Sequence, residues 1–296
     1  MRPRLDGAMD YALVILIQVA YAVASLALIS VGLAIIFGMM RVINFAHGEF
    51  LMLGGFATII AVHQGANLWF AIFVVAPLTV GLFGVAVERL IIRPLYGRMI
   101  ETVLATWGLS LLMIGVASVA IGYYRAGVAT PLGSFAIGIY RESGYTLFII
   151  AVSALVLSAV FALLRFTRFG LIARATMQNP GMAASLGVNT RRVYALTFFV
   201  GSALSGLAGG LIAPLTSIVP NVGTAYIAKA FITVIGGGSV ALAGTLSASA
   251  LFGTVSQIVA FLATPIIGEV ALLIAAIALL RLLPEGITGR FFRRSL

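Results

Sequence analysis

From residue 11 to residue 40 the chain runs for 30 residues without an Asp, Glu, Lys or Arg, and from 50 to 87 it runs for another 38. A helix crosses a bilayer with about 20 predominantly apolar residues, so each run is long enough to span. Further charge-free runs cover 102–124, 143–164, 193–228, 230–268 and 270–280. Soluble domains carry roughly 25% charged residues, whereas this chain has 9% against 62% hydrophobic. These runs predict an all-α polytopic membrane protein. A β-barrel is excluded, because its strands alternate over segments of about 10 residues.

The net charge of +10 comes mainly from 17 Arg and a single Lys. They sit in short links between apolar runs instead of covering one face, so they read as a topology signal and not as a nucleic-acid surface. Zero cysteines exclude disulfides and Cys-ligated metal centres from this chain. The start, "MRPRLDGAMDYALVILIQVA", is basic like a signal peptide, but its apolar stretch runs on to Met40, far past the usual 7 to 15 residues. It is read as a retained first helix.

Charge-free length predicts helices near 11–40, 45–62, 67–88, 101–122, 145–164, 193–215, 240–262 and 264–283, about eight in all, plus a broken or re-entrant segment at 225–239. The whole chain, 1–296, is read as one transmembrane domain. Basic links at 89–98, 165–192 and 281–296 belong in the cytoplasm by the positive-inside rule. The segment 123–145 then becomes the main outside loop, and its Gly, Pro and Ser content suits that. Gly201, Ser205 and Gly209 recur at four-residue spacing in the 193–215 helix, beside Ser202, Gly206 and Gly210, which marks a face for close helix packing.

The stretch "RVINFAHGEF" (41–50) puts strongly polar side chains between two apolar runs. One reading is an interfacial turn with Arg41 and Glu49 in solvent. The other is a helix break inside the bundle, in which Asn44 and Gly48 supply irregular backbone, His47 and Glu49 face a cavity, and the following helix aims its N-terminus at a pathway. The second half has its own break where Gly236, Gly237 and Gly238 end "AYIAKAFITVIGGG". Paired breaks point to a translocation route, because unwound backbone at membrane depth is tolerated only where protein buries it or water reaches it. Lys229 reads either as an interfacial snorkelling residue or as a pathway residue. His63 reads as a loop residue. "GGGSVA" (236–241) fits a dinucleotide fingerprint by spelling but lies in a charge-free run without βαβ context, and no GxxxxGK[ST] occurs, so the chain has no P-loop for ATP.

The loop 165–193 carries a local helix signature. Asn179 suits an N-cap, Pro180 the first helical position and Gly187 the C-terminal stop. Met182, Ala183 and Leu186 are expected on one apolar face, either packed beneath the bundle or docked into a partner.

"GLAIIFGMMRVINFAHGEFLMLGGF" (32–56) resembles the signature of LivH-type permeases of branched-chain amino acid ABC importers. The resemblance continues through "ERLIIRPLYGRMIETVLATWGLSLL" (88–112), the stretch 170–211, "AKAFITVIGGGSVALAGTL" (228–246) and "LLRLLPEGITGRF" (279–291). It implies the ABC importer permease fold in a multi-pass protein of the bacterial inner membrane. It further implies a second, LivM-like permease, two cytoplasmic ATPases that hold ATP and Mg, and a periplasmic solute-binding protein. The chain itself would hold no cofactor and catalyse no covalent reaction. The resemblance places the opening stretch, with Asn44, Phe45, His47, Gly48 and Glu49, along the pathway, and the paired break adds Lys229 and Gly236 to Gly238 as pathway candidates. It makes 165–192 a coupling loop, with Asn179, Pro180, Met182, Ala183, Leu186 and Gly187 at the ATPase. Part of 97–112 also looks like the related urea and short-amide permeases, which is one alternative substrate class. An ion-coupled secondary carrier using His47 and Glu49 is the other alternative.

Overall fold

The computed structural model describes residues 3–122, 127–238 and 240–291. The first two residues, the opening of the 123–145 loop, Ser239 and the end of the 281–296 basic tail lie outside the described residues. The helices are α1 (Pro3–Met40), α2 (His47–His63), α3 (Leu68–Leu95), α4 (Met99–Ala120), α5 (Gly144–Phe166), α6 (Arg168–Gln178), α7 (Pro180–Ser185), α8 (Thr190–Ile212), α9 (Val222–Gly237), α10 (Ala241–Leu262), α11 (Pro265–Leu282) and α12 (Gly286–Phe291). Seven of these are long and apolar enough to cross a membrane: α1, α3, α4, α5, α8, α10 and α11. The chain is an all-α polytopic membrane protein. With 17 and 16 residues, α2 and α9 reach only about 26 and about 24 Å at ~1.5 Å per residue, less than a hydrocarbon core of about 30 Å. The two short helices are those that follow or contain the two breaks read in the sequence.

The expected outside loop carries a short hairpin. In the 123–145 loop, β1 (Ser134–Ile137) pairs antiparallel with β2 (Tyr140–Ser143), with Ser134 opposite Ser143. Gly138, at φ +57°, makes the tight turn between them. The glycines that marked a loop thus serve a hairpin.

The chain divides into two compact units. The larger comprises Leu28–Val128 and Leu157–Phe231. Its axis is α8, which packs on α2 and α3 along their lengths. The small-residue face of α8 makes this possible: a Cβ at Gly201 would lie 2.7 Å from Gly32 O of α1, and one at Gly206 would lie 2.6 Å from Ala76 O of α3. Gly209 likewise abuts the Leu51 backbone of α2. With lipid on the outside there is little hydrophobic gain in joining helices, so this backbone-to-backbone contact supplies much of the attraction. Phe50 and Phe198 fill the core beside it, their rings edge-on at 6.2 Å.

The smaller unit comprises Met1–Ala27, Ala129–Val156 and Ile232–Leu296. Leu26, Ala248, Phe252, Leu272, Ala276 and Leu279 form its core. The hairpin is held to α1 by Gln18, whose Nε2 donates to Glu142 Oε2 at 2.7 Å, and by Tyr11 against Tyr140.

Two identical substitutions should separate packing from propensity. Gly206→Ala overpacks α8 against α3 and is expected to cost about 1–3 kcal/mol, read as a lower melting temperature in detergent. Gly115→Ala meets open space on α4 and should be neutral or stabilise by up to about 1 kcal/mol.

Candidate functional site

The break after α1 is built from local chemistry. Arg41 sits in the left-handed region at φ +50°, and its N–H donates to Phe37 O at 2.9 Å, which ends the helix. The chain then runs without regular structure to His47. Its polar backbone groups are cared for by two side chains. Asn44 Oδ1 accepts the Ala46 N–H at 3.0 Å, and Thr106 of α4 accepts the Phe45 N–H at 3.1 Å. The Thr106 hydroxyl also lies 3.3 Å from Ile43 O. Irregular backbone beside a membrane is tolerated in this way because neighbouring protein groups take over the hydrogen bonds.

His47 opens α2 and is 1% exposed. Its Nε2 lies 3.0 Å from Ile29 O of α1, and its Nδ1 lies 3.1 Å from Ser205 Oγ of α8. A carbonyl only accepts, so Nε2 carries the hydrogen and the neutral ring's Nδ1 accepts from Ser205. Ser205 also lies 3.0 Å from Gly201 O, so its one hydrogen has two acceptors. The imidazole therefore ties three helices together at one point.

Glu49 stands in the first turn of α2, where the helix dipole favours a negative charge. It is 0% exposed; neither carboxylate oxygen meets a partner at full hydrogen-bond geometry, and the neighbouring polar group is the Ser110 hydroxyl of α4. The Asn44 side-chain nitrogen is also buried without a partner at that geometry. Phe45 is partly exposed and stacks on Phe231 of α9 at 5.1 Å. Gly48 does not supply irregular backbone as expected. It is helical, and its bare Cα lets α2 meet Gly223 at the start of α9, where a Cβ on Gly223 would lie 2.5 Å from the Gly48 carbonyl carbon. The stretch is divided: Arg41 is exposed, whereas Asn44, His47 and Glu49 are buried.

The second break lies in the other unit for its glycines. Gly238, at φ +87°, ends α9, and Gly237 abuts Gly244 of α10. Thr288 of α12 donates to Gly237 O at 2.6 Å and accepts the Val240 N–H at 3.1 Å. Gly236 faces Phe252 and Leu279. These glycines make a close helix junction. Lys229 is half-buried on α9, and His63 is the exposed last residue of α2.

The 165–192 loop contains two helices. The first, α6, went unread because its arginines looked like a link. Thr167 Oγ caps it by accepting the Gly170 N–H at 3.1 Å, and Gly170, Ala173 and Thr176 are buried at three-residue spacing. The second, α7, has the expected ends: Asn179 Oδ1 accepts the Met182 N–H at 2.9 Å, Pro180 is in the first turn, and Gly187 has φ +84°. Its faces need correction. Met182 and Leu186, four apart, are 65% and 81% exposed, while Ala183 is 4% exposed and points inward. Adjacent positions on a helix lie about 100° apart, so Ala183 cannot share the Met182 face.

Sequence reasoning missed Thr106, Ser205 as a histidine partner, and the Ile29 carbonyl. Thr106 and Ser205 carried a weak signal as hydroxyls in apolar runs. Removing the His47 ring takes the cross-helix donor from Ile29 O and leaves Ser205 only Gly201 O in its own helix, so His47→Ala is expected to cost about 1–3 kcal/mol. A double-mutant cycle with Ser205→Ala, read by melting temperature, should show strong non-additivity; purely additive losses would remove the tie.

Comparison with known proteins agrees with this architecture. Residues 15–283 match the family described as "Branched-chain amino acid transport system / permease component". The chain is 28% identical over 283 residues to the high-affinity branched-chain amino acid transport system permease protein LivH of Escherichia coli (strain K12), covering 89% of this chain and 91% of that protein. It is 28% identical over 281 residues to BraD of Pseudomonas aeruginosa, covering 89% and 91%. A probable LivH of Methanocaldococcus jannaschii is 29% identical over 286 residues, covering 89% and 88%. No solved structure matches. With seven helices fit to span a bilayer and a family match across nearly all of them, the chain belongs to the branched-chain amino acid transport permease family and is a multi-pass membrane permease of the ABC importer class.

Proposed function

We propose that this permease moves branched-chain or closely related amino acids across the bacterial inner membrane as one half of a binding-protein-dependent importer. A second, LivM-like permease would complete the pathway, two cytoplasmic ATPases would bind ATP and Mg, and a periplasmic solute-binding protein would deliver the substrate. The relatives' names support this substrate class over urea or short amides.

The observation that carries the coupling role is α7. It is short, closed at both ends, and displays Met182 and Leu186 on a loop whose basic residues belong in the cytoplasm. An exposed apolar pair at i, i+4 suits a groove on a partner. ATP-driven closure of the ATPases would push on this pair, and α6 and α8, which pack against α7, would carry the movement into the larger unit. On the pathway side, Asn44, Phe45, His47, Gly48, Glu49, Lys229 and Gly236 to Gly238 are assigned the two segments that rearrange. His47 and Gly48 act there as helix contacts, and Glu49 as the buried acid whose surroundings change.

Two measurements test this. Met182→Asp together with Leu186→Asp should abolish ATP-dependent uptake by the reconstituted importer while the permease still inserts; uptake at the wild-type rate would dismiss the coupling role. Glu49→Gln should leave the requirement for ATP intact. Uptake without ATPases that is lost in Glu49→Gln would instead favour the ion-coupled carrier.

A further inference from the structure

A cavity of about 700 Å³ lies within the larger unit where three links meet: residues 39–43 at the end of α1, 95–99 between α3 and α4, and 177–180 between α6 and α7. Tyr194 of α8 completes it. Its lining combines apolar side chains at helix ends, Met40, Leu95 and Met99, with residues that carry hydrogen-bond donors, Arg41, Arg98 and Gln178.

The lining includes two arginines and no acid. Arg98 shares its charge with Glu101, 2.9 Å away at the surface. Glu88, which the lining residue Tyr96 contacts, is matched by Arg93, which binds both its oxygens at 3.1 and 3.0 Å, while the Tyr96 hydroxyl donates to it at 2.5 Å. Arg41 takes part in neither ion pair found among the described residues. Its backbone is also informative. A left-handed residue at the end of a helix is normally Gly, and a side chain there strains the backbone. At φ +50° the chain nevertheless carries Arg, with its guanidinium free to serve the cavity it lines.

We propose that this cavity binds the phosphate of an anionic phospholipid headgroup, with Arg41 as the principal phosphate ligand and Arg98 as the second. The lipid source follows from depth. Met40, Leu95 and Met99 are terminal residues of three helices long and apolar enough to cross a membrane, and basic pockets between such helices on the side of the basic links are suited to anionic headgroups. Asn179, the cap of α7, stands between the wall residues Gln178 and Pro180, so the bound headgroup meets the base of that helix. The site needs no assumption about transport and is read by binding alone.

The test titrates the purified full chain in non-ionic detergent with phosphatidylglycerol or phosphatidylcholine and counts retained lipids by native mass spectrometry. The expected result is about a tenfold preference for phosphatidylglycerol, because phosphatidylcholine carries the same phosphate but brings a choline cation against the arginines. Arg41→Gly fits the left-handed backbone and should keep the melting temperature while bringing the ratio to about one. Arg41→Lys should retain most of the preference. Equal retention of the two lipids by the wild-type chain, or an unchanged ratio in Arg41→Gly, would overturn the site. Displacement of phosphatidylglycerol by inorganic phosphate would assign the cavity to a soluble anion and overturn the lipid assignment.

Discussion

Backbone contact along α8 is the condition on which the larger unit rests. In lipid, apolar side chains gain little by leaving one apolar neighbour for another, so helices are held by close packing and by hydrogen bonds between them. Gly201, Gly206 and Gly209 bring α1, α3 and α2 to touching distance of α8. Only at that separation can the single imidazole of His47 reach both Ile29 of α1 and Ser205 of α8. The short α2 and the irregular residues before it are thereby fixed in place, and Glu49 with them.

That arrangement explains how a membrane protein can keep a buried acid and a broken helix so close together. Thr106 and Asn44 hold the exposed backbone groups of the break, and His47 holds the helices around it. The polar residues that interrupt the apolar sequence are therefore divided between maintenance and a remainder without partners at full hydrogen-bond geometry: Glu49 and the Asn44 amide nitrogen. A permease has reason to keep such a remainder, since polar groups that a fixed fold leaves unsatisfied can be satisfied in another arrangement.

What was legible in the sequence was what local chemistry dictates. Run lengths gave the spans, because the bilayer sets a minimum. Asn179, Pro180 and Gly187 gave α7, because capping needs only neighbours in sequence. Gly236 to Gly238 gave the end of α9 for the same reason. What stayed hidden depends on distant partners. His47 meets groups 18 and 158 positions away, and no spacing rule connects them. The hairpin at 134–143 is two four-residue strands, too short for alternation to stand out from a Gly-rich loop. Ala183 falls off the Met182 face because apolar character alone does not follow the turn of the helix, and α6 is hidden because its arginines resemble those of a link.

Six residues make only about two turns of helix, too few to persist alone in water. Yet α7 has no loose end. Asn179 closes its front, and the Gly187 and Val188 N–H groups close its back on Ala184 O and Ala183 O at 2.9 and 3.0 Å. Such a piece cannot stretch or fray to absorb a load. It behaves as a rigid stud, with Met182 and Leu186 as its head and the buried Ala183 as its seat. Displacement of the head must therefore appear, undiminished, at the seat.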